Sequence, residues 1–163
     1  MAYDAFLQLK DIPGESTAAG FEKSIALVSV QWNANARVTV GSGRGGLTTS
    51  KVSVSEFVIT KKTDIASAKL FHACCVGTHI ATARVSFRKQ TGHGQEAYLI
   101  YVLTEVVVSG FSFSGQPGIN DAPHESLTLA FGRLQIEYKT QGADGKLVSG
   151  TPVVWDLTTL SDK

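Results

Sequence analysis

The sequence is poor in the residues that support several common functions. Its only two cysteines, Cys74 and Cys75, are adjacent, which is a poor basis for the disulfide framework of a small secreted domain. Its 15 basic and 14 acidic residues give a formal net charge of +1. Nucleic-acid-binding proteins usually carry a basic excess gathered on one face, so we expect no nucleic-acid partner. The short basic clusters, such as Lys61–Lys62, are interpreted as solvated strand surface.

Long apolar segments are also missing. The longest, at residues 98–108, is interrupted by Thr104 and Glu105 and falls short of the roughly 20 residues that a membrane helix needs, so no membrane insertion is expected. The opening MAYDAFLQLKDIPGES lacks a basic segment followed by an apolar run, and we therefore expect no cleaved signal peptide. We therefore expect a protein made in the cytoplasm, and the length predicts one domain, residues 1–163.

The dominant pattern is the two-residue alternation typical of β-strands. It predicts strands at residues 4–10, 25–32, 37–40, 52–60, 81–90, 98–110, 125–138 and 152–158. Residues 98–110 are apolar on both faces, so both faces should be covered. The alternation of 125–138 changes phase at Gly132–Arg133, which predicts a β-bulge.

Alternation also divides the strand at 25–32 into two faces. One face is predicted to turn Trp32 toward the core, together with Ala26, Val28 and Val30. The other is predicted to hold Ile25, Leu27, Ser29 and Gln31.

One segment, TDIASAKLFHACCVG at residues 63–77, departs from this alternation. Asp64 can serve as an N-cap, Leu70, Ala73 and Cys74 have helical spacing, and Gly77 stands where a helix would end. We predict one helix of about three turns. The predicted fold class is therefore mainly β, a two-sheet antiparallel β-barrel with a single outer helix.

The cysteines and histidines of this helix raise the question of a metal site. A structural zinc site usually needs four ligands, but Cys74 and Cys75 point in different directions on a helix and no second ligand pair follows. We expect no metal and no cofactor. Cys74 should pack in the core, while His72 and Cys75 should share the outer helix face. A metal-dependent or thiol enzyme is kept as an alternative that elemental analysis would test.

The segment GSGRGG at residues 41–46 matches the glycine pattern of dinucleotide-binding loops. Those loops lead into a helix, whereas strand-like sequence follows here, so the match is interpreted as accidental. A long ordered loop between strands often contacts a partner. The G-x-S-x-G motif of serine hydrolases, the Walker sequence of P-loop NTPases and the H-E-x-x-H motif of zinc proteases are all absent, and no catalytic residues are expected.

Several segments occur in a characteristic order over nearly the whole chain: AYDAFLQLKDIPGEST, IALVSVQW, KVSVSEFVITKKTD, KLFHACCVGTHI, YLIYVLTEVVVSG, ESLTLAFGRLQIEY and VVWDL. Together they resemble the haemolysin-coregulated proteins (Hcp), the tube subunits of bacterial type VI secretion. The resemblance implies a structural protein whose rings of six subunits stack into a tube. It further implies spike and sheath proteins as partners, effector proteins carried in the lumen, and secretion without a cleaved signal peptide.

The resemblance also gives the residues candidate roles. Ser29 and Gln31 are predicted to face the lumen, and the outer helix face with His72 and Cys75 is a candidate subunit interface. A ring-stacking loop is predicted from Gly41, Ser42, Gly43, Arg44, Gly45, Gly46, Leu47, Thr48 and Thr49. The alternative function is a small β-sandwich module that binds a sugar or lipid, because barrels can hold ligands at their mouths.

Overall fold

The computed structural model describes residues 3–41 and 45–162. Within these ranges the chain forms thirteen strands and one helix. The bounds are β1 Asp4–Leu9, β2 Ile25–Gln31, β3 Ala34–Asn35, β4 Val38–Val40, β5 Leu47–Thr49, β6 Ser53–Val54, β7 Phe57–Lys62, α1 Ser67–Val76, β8 His79–Thr91, β9 Gly94–Ser114, β10 His124–Ala130, β11 Arg133–Gln141, β12 Leu147–Ser149 and β13 Val153–Asp156.

Antiparallel pairing joins six of these strands into a closed sheet. Strand β1 pairs with β2 and β8, β2 pairs with β7, β7 with β10, β10 with β9, and β9 with β8. The mainly β class and the outer helix are therefore confirmed. The sheet is not strictly a barrel, because β11 branches from the closed sheet at β9 and pairs in turn with β12 and β13.

Strand β9 connects the closed sheet to this branch, because it changes its pairing partner along its length. Its residues 99–104 pair with β11, and its residues 107–114 pair with β10. The change falls at Glu105, whose φ of 56° is unusual for a residue with a side chain. The Gly132 amide, between β10 and β11, donates to the Thr104 carbonyl at 3.0 Å. The phase change at Gly132 therefore divides two strands, where the sequence predicted one strand with a bulge.

Both faces of β9 are covered, as its apolar sequence predicts. Leu103 and Val106 are buried in the main core. Ile100 points to the opposite face and is only 1% exposed. Its cross-strand neighbour on β8 is Ser86, which pairs in turn with Phe6 on β1, and both of these residues are buried.

The predicted faces of β2 are wrong in its first half. Ile25 is buried and Leu27 packs against the core, whereas Val28 is 54% exposed. The register with β7 shifts between Leu27 and Ser29. Such a bulge inserts an extra residue and exchanges the faces of the strand. Beyond it Trp32 points to the core as predicted and stacks on Phe57 at 5.5 Å.

The helix covers one side of the core and ends as predicted. Leu70 and Ala73 are buried, and the Gly77 backbone adopts φ 65°, the left-handed conformation of a helix C-cap. The predicted N-cap is wrong by two residues, because the cap position is Ala66. The Asp64 carboxylate accepts the Ala66 amide at 2.9 Å and thereby orders the turn before the helix. The described residues hold no helix with both the length and the apolar character needed to cross a membrane.

Candidate assembly surfaces

Residues 33–41 and 45–55 form an arm that leaves the sheet between β2 and β7. At its base β3 pairs with β6, and further out β4 pairs with β5. The Asn33 amide donates to the Ser55 hydroxyl at 2.8 Å, which holds the two segments of the arm together where they leave the sheet. The last three residues of the predicted loop, Leu47–Thr49, are therefore strand β5 and pair with β4. Of its predicted residues, Ser42, Gly43 and Arg44 lie outside the described ranges.

The outer part of the arm has one apolar face. Val40 lies opposite Leu47, and Val38 lies opposite Thr49, so these four residues share a face. Val38, Val40 and Leu47 are 52%, 75% and 74% exposed. The other face carries Thr39 and Thr48. Two-stranded hairpins are marginally stable alone, and exposed clusters of aliphatic residues commonly mark interaction sites.

An apolar groove of about 360 Å³ lies beside the base of the arm. Val52 and Val54 of the arm form one wall, and Val153 and Trp155 at the chain's C-terminal side form the other. The Trp155 indole N–H is buried and has no acceptor among the described atoms.

The predicted lumen residues Ser29 and Gln31 are exposed on β2 after its bulge. They lie opposite Thr60 and Val58 of β7. This part of the sheet therefore presents a mixed, mainly polar surface. Its position relative to a lumen stays a prediction.

The helix separates its two cysteines. Cys74 packs against the core, as predicted, and Cys75 is exposed with His72 on the outer surface. Both thiols are free. Within residues 3–41 and 45–162, no three His, Cys, Asp or Glu side chains come together in an arrangement that could hold a metal ion.

A buried polar network anchors the start of the helix, and the sequence analysis missed it. Lys61 is 0% exposed, which corrects its interpretation as solvated strand surface. Its amine lies 2.8 Å from the Glu125 carboxylate, 2.9 Å from that of Asp64, and 3.1 Å from the Ser67 hydroxyl. Phe57 and Ile59, at alternate positions of the same strand, also point inward. This alternation was the available signal, but a charged residue in phase with it is most often exposed.

Glu125 is held in its charged form by this network. Burial alone would raise the pKa of Glu125, but hydrogen bonds from Lys61, Ser67 and Thr63 outweigh it and lower the pKa below its usual value. A lowered folded-state pKa stabilises the fold above the unfolded-state pKa of about 4.3, and this stabilisation is lost as the pH falls through the folded-state pKa.

Comparison with known proteins places these surfaces in context. Residues 6–138 match the family described as "Type VI secretion system effector, Hcp". The Protein hcp1 of Pseudomonas aeruginosa is 35% identical over 146 residues, covering 89% of this chain and 88% of that protein. A solved structure titled "Structure of a type six secretion system protein" superposes with a TM-score of 0.93 at 34% identity, covering 99% of this chain and 100% of its own. The crystal structure of Hcp1 from Salmonella typhimurium has a TM-score of 0.79 at 30% identity, and both chains are fully covered.

These matches define the class as a structural, secreted protein that assembles with itself into rings, and not an enzyme. More specifically, the chain belongs to the Hcp family of type VI secretion proteins. The resemblance in the sequence is thereby confirmed. The tube-protein function is supported over the ligand-binding and enzyme alternatives.

Proposed function

We propose that six copies of this chain form each ring, and that the rings stack into a tube through the arm. The family membership supports ring formation. The observation that carries the stacking proposal is the unpartnered aliphatic face of Val38, Val40 and Leu47.

Stacking requires two different complementary surfaces on each subunit. A head-to-tail contact repeats without limit when its rotation does not close, and it then produces a filament. The aliphatic arm face supplies one surface, and the groove between Val54 and Trp155 supplies the other. In the proposed contact, the arm of one subunit enters the groove of a subunit in the next ring. Burying apolar surface contributes about 25 cal/mol per Å², which favours this contact.

The remaining surfaces are assigned by the same proposal. Ser29 and Gln31 face the lumen, where exposed polar side chains keep the channel wall hydrated. A hydrated wall suits the passage of effector proteins. The outer face of α1, with His72 and Cys75, contacts the neighbouring subunit of the ring. Spike and sheath proteins are the further partners. We infer that residues 1–163 act as one domain, made in the cytoplasm and secreted without a cleaved signal peptide.

The stacking proposal is tested by placing charge on the arm. In a Val40→Asp, Leu47→Asp variant, we expect rings of six times the chain mass but no stacks, because carboxylates would have to be buried in the groove. The matched control is Thr39→Asp, Thr48→Asp, on the opposite face of the same hairpin. Light scattering gives the mass, and electron microscopy counts the stacked rings.

Two results would overturn the proposal. A wild-type protein that stays monomeric at every concentration would exclude ring formation. Stacking of the Val40→Asp, Leu47→Asp variant at the level of its threonine control would exclude the arm as the contact.

A further inference from the structure

A second pocket, of about 500 Å³, lies between α1, the first residues of β8 and the segment that follows β1. It is separate from the arm and its groove, and its residues are distant in sequence. His72 on its rim also belongs to the α1 face proposed above as a subunit contact, so we take the pocket to stay open at the edge of that contact. Ile12, Ala73 and Ile80 form its inner part, and all three are buried. The pocket therefore has an apolar floor and lies within the size range of small-molecule sites.

Basic groups surround this floor. Lys69 and His72 are three residues apart on α1, so they point to the same side of the helix. His79 is the first residue of β8, and Lys10 directly follows β1. Asp11 is the one acidic residue among those that line the pocket.

The lysines in this pocket outnumber its one carboxylate. Neither Lys10 nor Lys69 forms an ion pair within residues 3–41 and 45–162. Folding therefore brings several like charges together on a fixed framework of a helix, a strand and a turn. Such a concentration of positive charge attracts anions and raises their local concentration.

We propose that this pocket binds a small anion that carries a phosphate group. Lysine amines bind phosphate as point charges, and the ring N–H groups of the two histidines can donate hydrogen bonds beside them. The apolar floor next to the basic rim suits a phosphate attached to a small organic body. Because the amines are exposed, binding is sensitive to ionic strength.

Removal of the lysines is the first test. Equilibrium dialysis of the assembled protein with pyrophosphate should show one saturable site per chain. A Lys10→Gln, Lys69→Gln variant should bind about tenfold more weakly, since two favourable charges are lost. Lys146→Gln, which removes an exposed lysine outside the pocket, should bind like the wild type. Light scattering checks that all three proteins assemble to the same mass, which separates this result from any failure of stacking.

The nature of the anion is tested with a nucleoside diphosphate. Tighter binding than that of pyrophosphate assigns the site to organic phosphates that use the apolar floor. Equal binding assigns it to inorganic phosphates. The proposal is overturned if neither compound shows saturable binding, or if Lys146→Gln weakens binding as much as the double variant.

Discussion

Lys61 shows at the residue scale how this fold holds a charge in its interior. It lies directly opposite Glu125 across the β7–β10 pair, and its amine also contacts Asp64 and Ser67. The network joins two strands of the closed sheet, β7 and β10, to the start of α1. A buried ion pair adds less stability than its distances suggest, because both charges lose their hydration. Removing one partner is nevertheless costly, since the other is left buried and unpaired.

The contrast between Lys61 and its neighbour provides the first stability prediction. Lys61→Met should lower the free energy of unfolding by about 3 kcal/mol, because Glu125 loses its buried cation. Lys62→Met should change it by less than about 1 kcal/mol, because the Lys62–Asp121 pair is 52% and 45% exposed. Urea unfolding at one fixed chain concentration measures both values. Equal losses in the two variants would contradict the importance of burial.

Acidification provides a second measurement on the same network. The pKa of Glu125 is lowered in the folded state, so wild-type stability should fall as the pH decreases below about 4.3. Glu125→Gln removes this titrating group and should flatten the decrease. An unchanged pH profile would show that Glu125 is not held in its charged form.

At the scale of elements, local patterns located the longer strands and the helix, but they missed the short strands β3, β5 and β12 and did not give every side-chain direction. The helix ends at Gly77, as its sequence predicts, because the left-handed backbone there is a local requirement. The exchange of faces in β2 depends on its register with β7. The change of partner in β9 depends on where β10 ends and β11 begins. Neither depends on the strand's own residues alone.

Gly77 provides the prediction at this scale. Gly77→Ala should lower the free energy of unfolding by about 1 kcal/mol, because alanine is disfavoured at φ 65°. An added Cβ would contact nothing within 4 Å, so the cost would come from the backbone alone. Gly92→Ala is the control, since its Cβ is also free and its φ is not positive. Thermal unfolding of both variants would show whether only Gly77→Ala is destabilised.

At the scale of the whole molecule, assembly depends on surfaces formed by segments distant in sequence. The groove combines residues of the arm with residues near the C-terminal side of the chain. Alternation predicts that these valines and tryptophans belong to strands. It does not predict that two such segments lie beside each other with an open channel between them.

Charge in this groove should reproduce the defect expected from charge on the arm. Val153→Asp should abolish stacking and leave single rings, because Val153 lines the groove and is 66% exposed. Val148→Asp is the control, since Val148 is 58% exposed on β12 and lies outside the groove. Electron microscopy of the two variants compares the number of rings per particle. Normal stacks with Val153→Asp would exclude the groove as the receiving surface.

The sequence by itself determined the mainly β class, the position and end of the helix, and the family, because these follow from local alternation, a glycine with a special backbone and an ordered series of segments. Tertiary structure alone decided that Lys61 is buried, that β2 exchanges its faces, and that Lys10, Lys69, His72 and His79 surround one pocket. The physical reason is that burial, strand register and charge clustering depend on which distant segments become neighbours. A pattern within one segment does not contain that information.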